Sequence, residues 1–128
     1  MQGFSLFNAE ACTAARHFLY SSIFWLLLPG AFGLLLASLL YVPELHDRLP
    51  MTVKPYLSFG RLRPTHVNLT VFGWLSMVYC GAILYILPRL TRAPLYSERL
   101  AQVNAWLWNL MMLGALVTLP MGLTQGRE

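Results

Sequence analysis

The 128-residue sequence contains three long segments that lack acidic and basic side chains. These uncharged segments lie between Arg16 and Glu44, between Arg63 and Arg89, and between Arg99 and Arg127. They hold 27, 25 and 27 residues, and a bilayer core about 30 Å thick needs roughly 20 apolar residues in a helix. Each segment therefore predicts one membrane span, and we place the spans at about residues 18–41, 66–87 and 100–121.

The composition excludes a soluble globular chain, since 57% of residues are hydrophobic and 11% are charged. The apolar runs lack the strict alternation of a membrane β-barrel. The first run is much longer than the apolar region of a signal peptide, and no small-residue cleavage pattern follows it. We therefore predict an all-α integral membrane protein, with residues 1–128 forming a single membrane domain of three transmembrane helices. The net charge of +4 lies in the loops, so the predicted partner is the lipid bilayer and no nucleic acid.

The charge pattern gives the relative placement of the span ends more clearly than the absolute orientation. The N-terminal tail and second loop carry four basic residues, and the first loop and C-terminus carry five. The positive-inside rule therefore does not decide between the two orientations. If Arg61 and Arg63 serve a cofactor and are left out of the count, the N-terminal tail and second loop carry four basic residues and the other side carries three. This difference weakly favours a cytoplasmic N-terminus. Because consecutive spans alternate in direction, His66 and Glu128 are predicted to share one membrane face, with His17 on the other.

A basic block directly precedes the second uncharged segment, with the sequence Gly60-Arg61-Leu62-Arg63-Pro64-Thr65-His66. An ionisable residue at membrane depth is a functional-site hypothesis by default, and imidazole is a common axial ligand of haem iron. The two arginines suit a cofactor whose edge carries carboxylates. The alternatives are a helix-start histidine bonded to a carbonyl or to water, and arginines that anchor in the lipid headgroups. His46, in a charged loop, is interpreted as solvated.

Small residues follow His66 along the second span. Gly73, Ser76, Cys80 and Gly81 make one side of the predicted helix narrow. A flat macrocycle held by His66 would fit such a groove, and ordinary helix packing in membranes also favours small residues. The pattern alone does not separate these two interpretations.

Four blocks together resemble the start of the catalytic subunit of haem–copper oxidases. They are Phe59-Gly-Arg-Leu-Arg-Pro-Thr-His66, Phe72-Gly-Trp74, Tyr85-Ile-Leu-Pro-Arg-Leu-Thr91 and Gln125-Gly-Arg-Glu128. The resemblance is closest to subunit I of the C-type, or cbb(3)-type, cytochrome c oxidases and to the large subunit of nitric oxide reductase. It covers nearly the whole chain, and its most specific part is the block that ends at His66.

The resemblance implies a role for each matching residue. The histidine at His66 is an axial ligand of the low-spin haem b, and the arginine at Arg63 lies near the haem propionates. We predict Arg61 as a further partner of the propionates. The glutamate at Glu128 lies near the propionates and a calcium ion that bridges them. The resemblance also implies a bacterial inner (cytoplasmic) membrane, a cytoplasmic N-terminus and a periplasmic haem edge.

The chain has three spans, whereas members of the resembled family have about a dozen. The second haem b ligand and the copper or non-haem iron centre are therefore expected in other helices, of the same subunit or of a split partner. We expect an N-terminal part of a respiratory oxidoreductase that receives electrons from c-type cytochrome subunits. The expected complex is an enzyme that reduces O₂ or NO, with no catalytic residue on this chain. The alternatives are a haem-free membrane scaffold or assembly partner, and a small cytochrome in which two copies share one haem.

Overall fold

The computed structural model describes residues 12–123 of the chain, and this part contains three helices long and apolar enough to cross a membrane. They are Thr13–Tyr41, Phe59–Thr91 and Glu98–Thr118, and we call them the first, second and third span. No strand occurs among residues 12–123. The predicted all-α membrane fold with three spans is confirmed.

The first span is one uninterrupted helix, α1 (Thr13–Tyr41), and the short helix α2 (Glu44–Asp47) follows it in the first loop. In that loop Lys54 Nζ lies 2.8 Å from a carboxylate oxygen of Asp47. This ion pair lowers the pKa of the Asp47 carboxyl below its ordinary value, because Lys54 both donates a hydrogen bond to it and carries the opposite charge. The loop also packs against the helices through Leu45 and Leu57, which contact the buried cluster of Leu36, Leu39 and Leu62.

The second span consists of α3 (Phe59–Asn68), a π-helical segment (Leu69–Leu75) and α4 (Ser76–Thr91). The backbone N–H of Ser76 donates to the carbonyl of Val71, five residues earlier. Leu69, Gly73 and Met77, spaced four apart along this stretch, are all buried. The π segment therefore keeps one face of the second span against the rest of the bundle.

The third span is α5 (Glu98–Thr118), and its start is tied to the start of α1. The Ser97 hydroxyl accepts the N–H of Leu100 at 3.3 Å, as an N-cap residue does. The Glu98 carboxylate accepts the backbone N–H groups of Cys12 at 2.9 Å and Ala14 at 3.3 Å. A negative charge is favourable at a helix N-terminus, so Glu98 serves the first turns of two parallel helices at once.

The three spans contact one another, and each contributes two side chains to the central buried cluster. The first span contacts the second span along α3, the π segment and α4, while the third span contacts the second through α3 and the π segment. The central cluster of buried side chains consists of Phe18, Trp25, Leu69, Met77, Ala105 and Met112. Many large apolar side chains lie on the outside of the three helices, where lipid tails or further helices would cover them.

Candidate functional site

His66 lies in the last turn of α3, inside the second span, and its imidazole is directed at the first span. Its Nδ1 lies 2.7 Å from the backbone carbonyl oxygen of Pro29. A carbonyl oxygen can only accept a hydrogen bond, so Nδ1 is the protonated nitrogen. The side chain is half-buried, and within residues 12–123 its Nε2 has no hydrogen-bond partner. A neutral His66 therefore carries its free lone pair on Nε2.

Gly33 makes room for this ring. A β-carbon at Gly33 would lie 2.7 Å from Cε1 and 3.0 Å from Nδ1 of His66. Such a distance is a steric clash, so any other residue at this position would displace the imidazole. By contrast, a β-carbon at Gly30, one turn away on the same helix, would meet nothing within 4 Å.

The two arginines of the basic block lie in different environments. Arg61 is half-buried, and its Nη1 donates to the carbonyl of Pro120 at 3.1 Å. Its guanidinium also packs on Gly122, which has a φ of 75° in the turn after α5. The start of the second span and the end of the third therefore meet, as the alternation of the spans predicted.

Arg63 is exposed, and its guanidinium makes no hydrogen bond or ion pair with any residue between 12 and 123. It precedes His66 by three residues, so the two side chains lie on neighbouring positions of one helix face, about 4.5 Å apart along the axis. Pro64 separates them in the sequence, and the Asn68 amide donates to its carbonyl at 2.8 Å.

The remaining predicted site residue, Glu128, lies outside the described residues, as does Arg127. Its proposed place near a calcium ion therefore stays a prediction. His17 lies near the start of the first span, at the other end of the bundle from His66. Its ring packs edge-to-face with Trp106, with the ring centroids 6.1 Å apart. His46 lies in α2 of the first loop, and its Nε2 is buried without a hydrogen-bond partner.

The small-residue side of the second span is filled largely by the first span. A β-carbon at Gly73 would lie 3.1 Å from Cβ of Trp25, and one at Gly81 would lie 2.8 Å from Cγ of Leu19. Helix packing thus explains these two glycines. On the same face, the His66 ring reaches a backbone carbonyl of the first span.

Sequence reasoning singled out His66 and missed its partners, Pro29 and Gly33. They precede it by 37 and 33 residues, and the Pro29 contribution comes from a backbone carbonyl, which any residue type possesses. Gly33, within an otherwise bulky apolar helix, was the available signal. Gly30 on the same helix meets nothing within 4 Å, so a glycine alone does not identify such a contact.

The match with known proteins covers the same helices. The family described as cytochrome C and quinol oxidase polypeptide I matches residues 13–128. The chain belongs to this haem–copper oxidase subunit I family. Its relatives include the Cbb3-type cytochrome c oxidase subunit CcoN1 of Stutzerimonas stutzeri, 32% identical over 121 residues, which are 94% of this chain and 24% of the relative. Another is a cytochrome c oxidase subunit 1 homolog of Agrobacterium tumefaciens (strain T37), 30% identical over 108 residues, which are 84% of this chain and 19% of the relative.

The chain thus spans a quarter or less of the length of these oxidase subunits. The family is one of terminal oxidase subunits. Together with the three spans, the bacterial relatives support a bacterial membrane protein.

Proposed function

We propose that this chain supplies one side of a low-spin haem b site in a respiratory oxidase, with His66 as one axial ligand. The observation that carries the proposal is the state of the His66 ring, whose Nδ1–H is donated to the Pro29 carbonyl while Nε2 keeps a free lone pair. Histidine ligands of metals almost always donate their other ring N–H in this way. The residues present therefore fit a haem.

Arg63 is the proposed partner of a haem propionate. Arginine pairs with carboxylates through two parallel hydrogen bonds, and the Arg63 guanidinium is exposed and unpaired within residues 12–123. Reduction adds an electron, so a fixed cation nearby favours the reduced form and raises the midpoint potential. Arg61 already donates through Nη1 to Pro120, so any propionate contact from Arg61 uses its other N–H groups.

The rest of the proposed site lies on other helices. The second axial ligand and a copper or non-haem iron centre would come from further helices of the same subunit or from a split partner. A bound haem b would supply a one-electron carrier between c-type cytochrome subunits and a binuclear centre that reduces O₂, or NO in the reductase variant. The proposed orientation places the N-terminus in the cytoplasm, and therefore His66 and Arg63 near the periplasmic face.

The test is the spectrum of the chain co-expressed with its remaining oxidase helices. We expect His66→Ala to abolish the b-type α-band in the reduced-minus-oxidised difference spectrum, because one axial ligand is lost. His46→Ala is the matched control, since this histidine lies in the first loop. An intact α-band in His66→Ala would show that His66 is not the ligand.

A second measurement addresses Arg63. We expect Arg63→Gln to lower the midpoint potential of the b-type haem in a redox titration, with the α-band retained. Arg48→Gln, an exposed arginine in the first loop, should leave the potential unchanged. Equal potentials for both variants would remove Arg63 from the propionate site.

A haem-free scaffold is the second candidate, and the packing of the small residues favours it. Gly73 and Gly81 are both covered by side chains of the first span, so the bundle has a structural use for them without a cofactor. A scaffold would purify with its partner helices but without haem, and His66→Ala would then change only the stability of the bundle.

A further inference from the structure

We infer that the turn of the first span from Pro29 to Gly33 is the positioning element for His66, setting both its protonated nitrogen and the plane of its ring. This inference rests on the proposed function and extends it to two residues on another helix. Both act through His66 rather than on a bound group. Pro29 contributes a backbone acceptor, and Gly33 contributes the absence of a side chain.

The geometry of a helix explains why these two residues act together. A helical side chain covers the turn on the N-terminal side of its own Cα, so a side chain at Gly33 would cover the carbonyl of Pro29 four residues earlier. That carbonyl has two lone pairs, and the regular helix bond uses one of them. The missing β-carbon at Gly33 leaves the second lone pair open to Nδ1–H of His66, which lies 2.7 Å away.

The same contact fixes the plane of the ring. An ideal β-carbon at Gly33 would lie 2.7, 3.0 and 3.4 Å from Cε1, Nδ1 and Nε2 of His66. Three ring atoms within this range show that one side of the imidazole rests on the glycine. The ring therefore cannot keep its present position if a methyl group is added there.

The expected consequence concerns ligand strength and redox potential. A hydrogen bond from Nδ1 makes the imidazole a more basic ligand, and a more basic ligand favours the oxidised, more positive iron. Losing the bond should raise the midpoint potential. Loss of such outer partners typically weakens metal binding about 10- to 100-fold.

The positioning role is tested by one measurement without haem and one with haem. In the haem-free 128-residue chain in detergent, ¹⁵N NMR of labelled histidine should show His66 with a protonated Nδ1 and an unprotonated Nε2. Gly30→Ala should leave this pattern intact, because a β-carbon there meets nothing within 4 Å. Gly33→Ala should mix the two neutral forms. A wild-type ring protonated mainly on Nε2 would overturn the inference without any variant.

In the co-expressed complex, Gly33→Ala should weaken haem binding about 10- to 100-fold in a haem titration and raise the midpoint potential of the bound haem, whereas Gly30→Ala should match the wild type. If Gly33→Ala behaves like Gly30→Ala while His66→Ala abolishes the α-band, the positioning inference fails and the ligand proposal stands. If His66→Ala retains the α-band, the ligand proposal itself fails, whatever the NMR result.

Discussion

The Asn109 side chain joins the first and third spans in the middle of the bundle, and its removal gives a sharp prediction. Trp25 donates its indole N–H to Asn109 Oδ1 at 2.8 Å, and Asn109 Nδ2 donates to Ser21 Oγ at 3.0 Å. Trp25 is 1% exposed, and its indole N–H can only donate. Asn109→Ala therefore breaks two bonds between spans and leaves a buried donor without an acceptor.

The magnitude follows from the two losses. Hydrogen bonds between membrane helices average about 0.6 kcal/mol each, so the pair contributes about 1 kcal/mol. An unsatisfied buried donor costs about 1–3 kcal/mol, and this applies to Trp25 more than to Ser21, whose hydroxyl is half-buried and can rotate. We expect Asn109→Ala to lower the free energy of unfolding by about 2 kcal/mol, or roughly 30-fold in the unfolding constant.

The assay is equilibrium unfolding of the chain in mixed micelles with a rising fraction of SDS, followed by far-UV circular dichroism. Asn104→Ala is the matched control, because Asn104 lies on the same helix, is exposed, and has a side chain that makes no hydrogen bond within residues 12–123. We expect this change to alter stability by no more than about 0.5 kcal/mol. A double-mutant cycle with Trp25→Phe should give a coupling of about 1 kcal/mol. Equal stabilities of Asn109→Ala and Asn104→Ala, or no coupling, would refute this account of the bundle centre.

Three further predictions concern packing and charge. Gly81→Ala should lower the free energy of unfolding by about 1–3 kcal/mol through overpacking. Gly114→Ala should not, because a β-carbon at Gly114 would meet open space. The same SDS titration compares the two variants. Glu98→Gln should lower stability by about 1 kcal/mol, with a difference from the wild type that shrinks in high salt. Lys54→Met should raise the lowered pKa of Asp47 towards its ordinary value in a carboxyl NMR titration, because Lys54 is the largest cause of the shift. The stabilisation from this pair is present above the unfolded-state pKa of Asp47 and is lost as pH falls through its lower folded-state pKa.

The three spans were predictable because charge exclusion from a bilayer is a local property of the sequence. Their ends were less predictable. The helix that contains the predicted second span begins at Phe59, seven residues before His66, and the third helix ends at Thr118, three residues before residue 121. Near the interface a helix can carry arginines whose head groups find acceptors, as Arg61 does on Pro120. The position of a helix end therefore depends on tertiary partners as well as on apolar length.

The π segment is a clear case of information that the sequence pattern did not carry. The indole N–H of Trp108 donates to the carbonyl of Phe72 inside this segment at 2.9 Å, and Gly73 accommodates Trp25 beside it. Both partners lie on other spans. Within this segment the Ser76 N–H meets the carbonyl of Val71, while the Phe72 carbonyl accepts the Trp108 indole of another span. Periodicity within one helix does not report such a contact.

Arg61 and Arg63 show the same limit within the candidate site. They are two residues apart and identical in type, and both lie within five residues of His66, so the sequence offers both as candidates for carboxylate binding. On a helix, residues two apart point in different directions. One guanidinium therefore meets the turn after the third span while the other remains exposed beside His66. Arg61 closes the bundle at this membrane face, and this contact leaves Arg63 as the freer cation for a ligand on the His66 side.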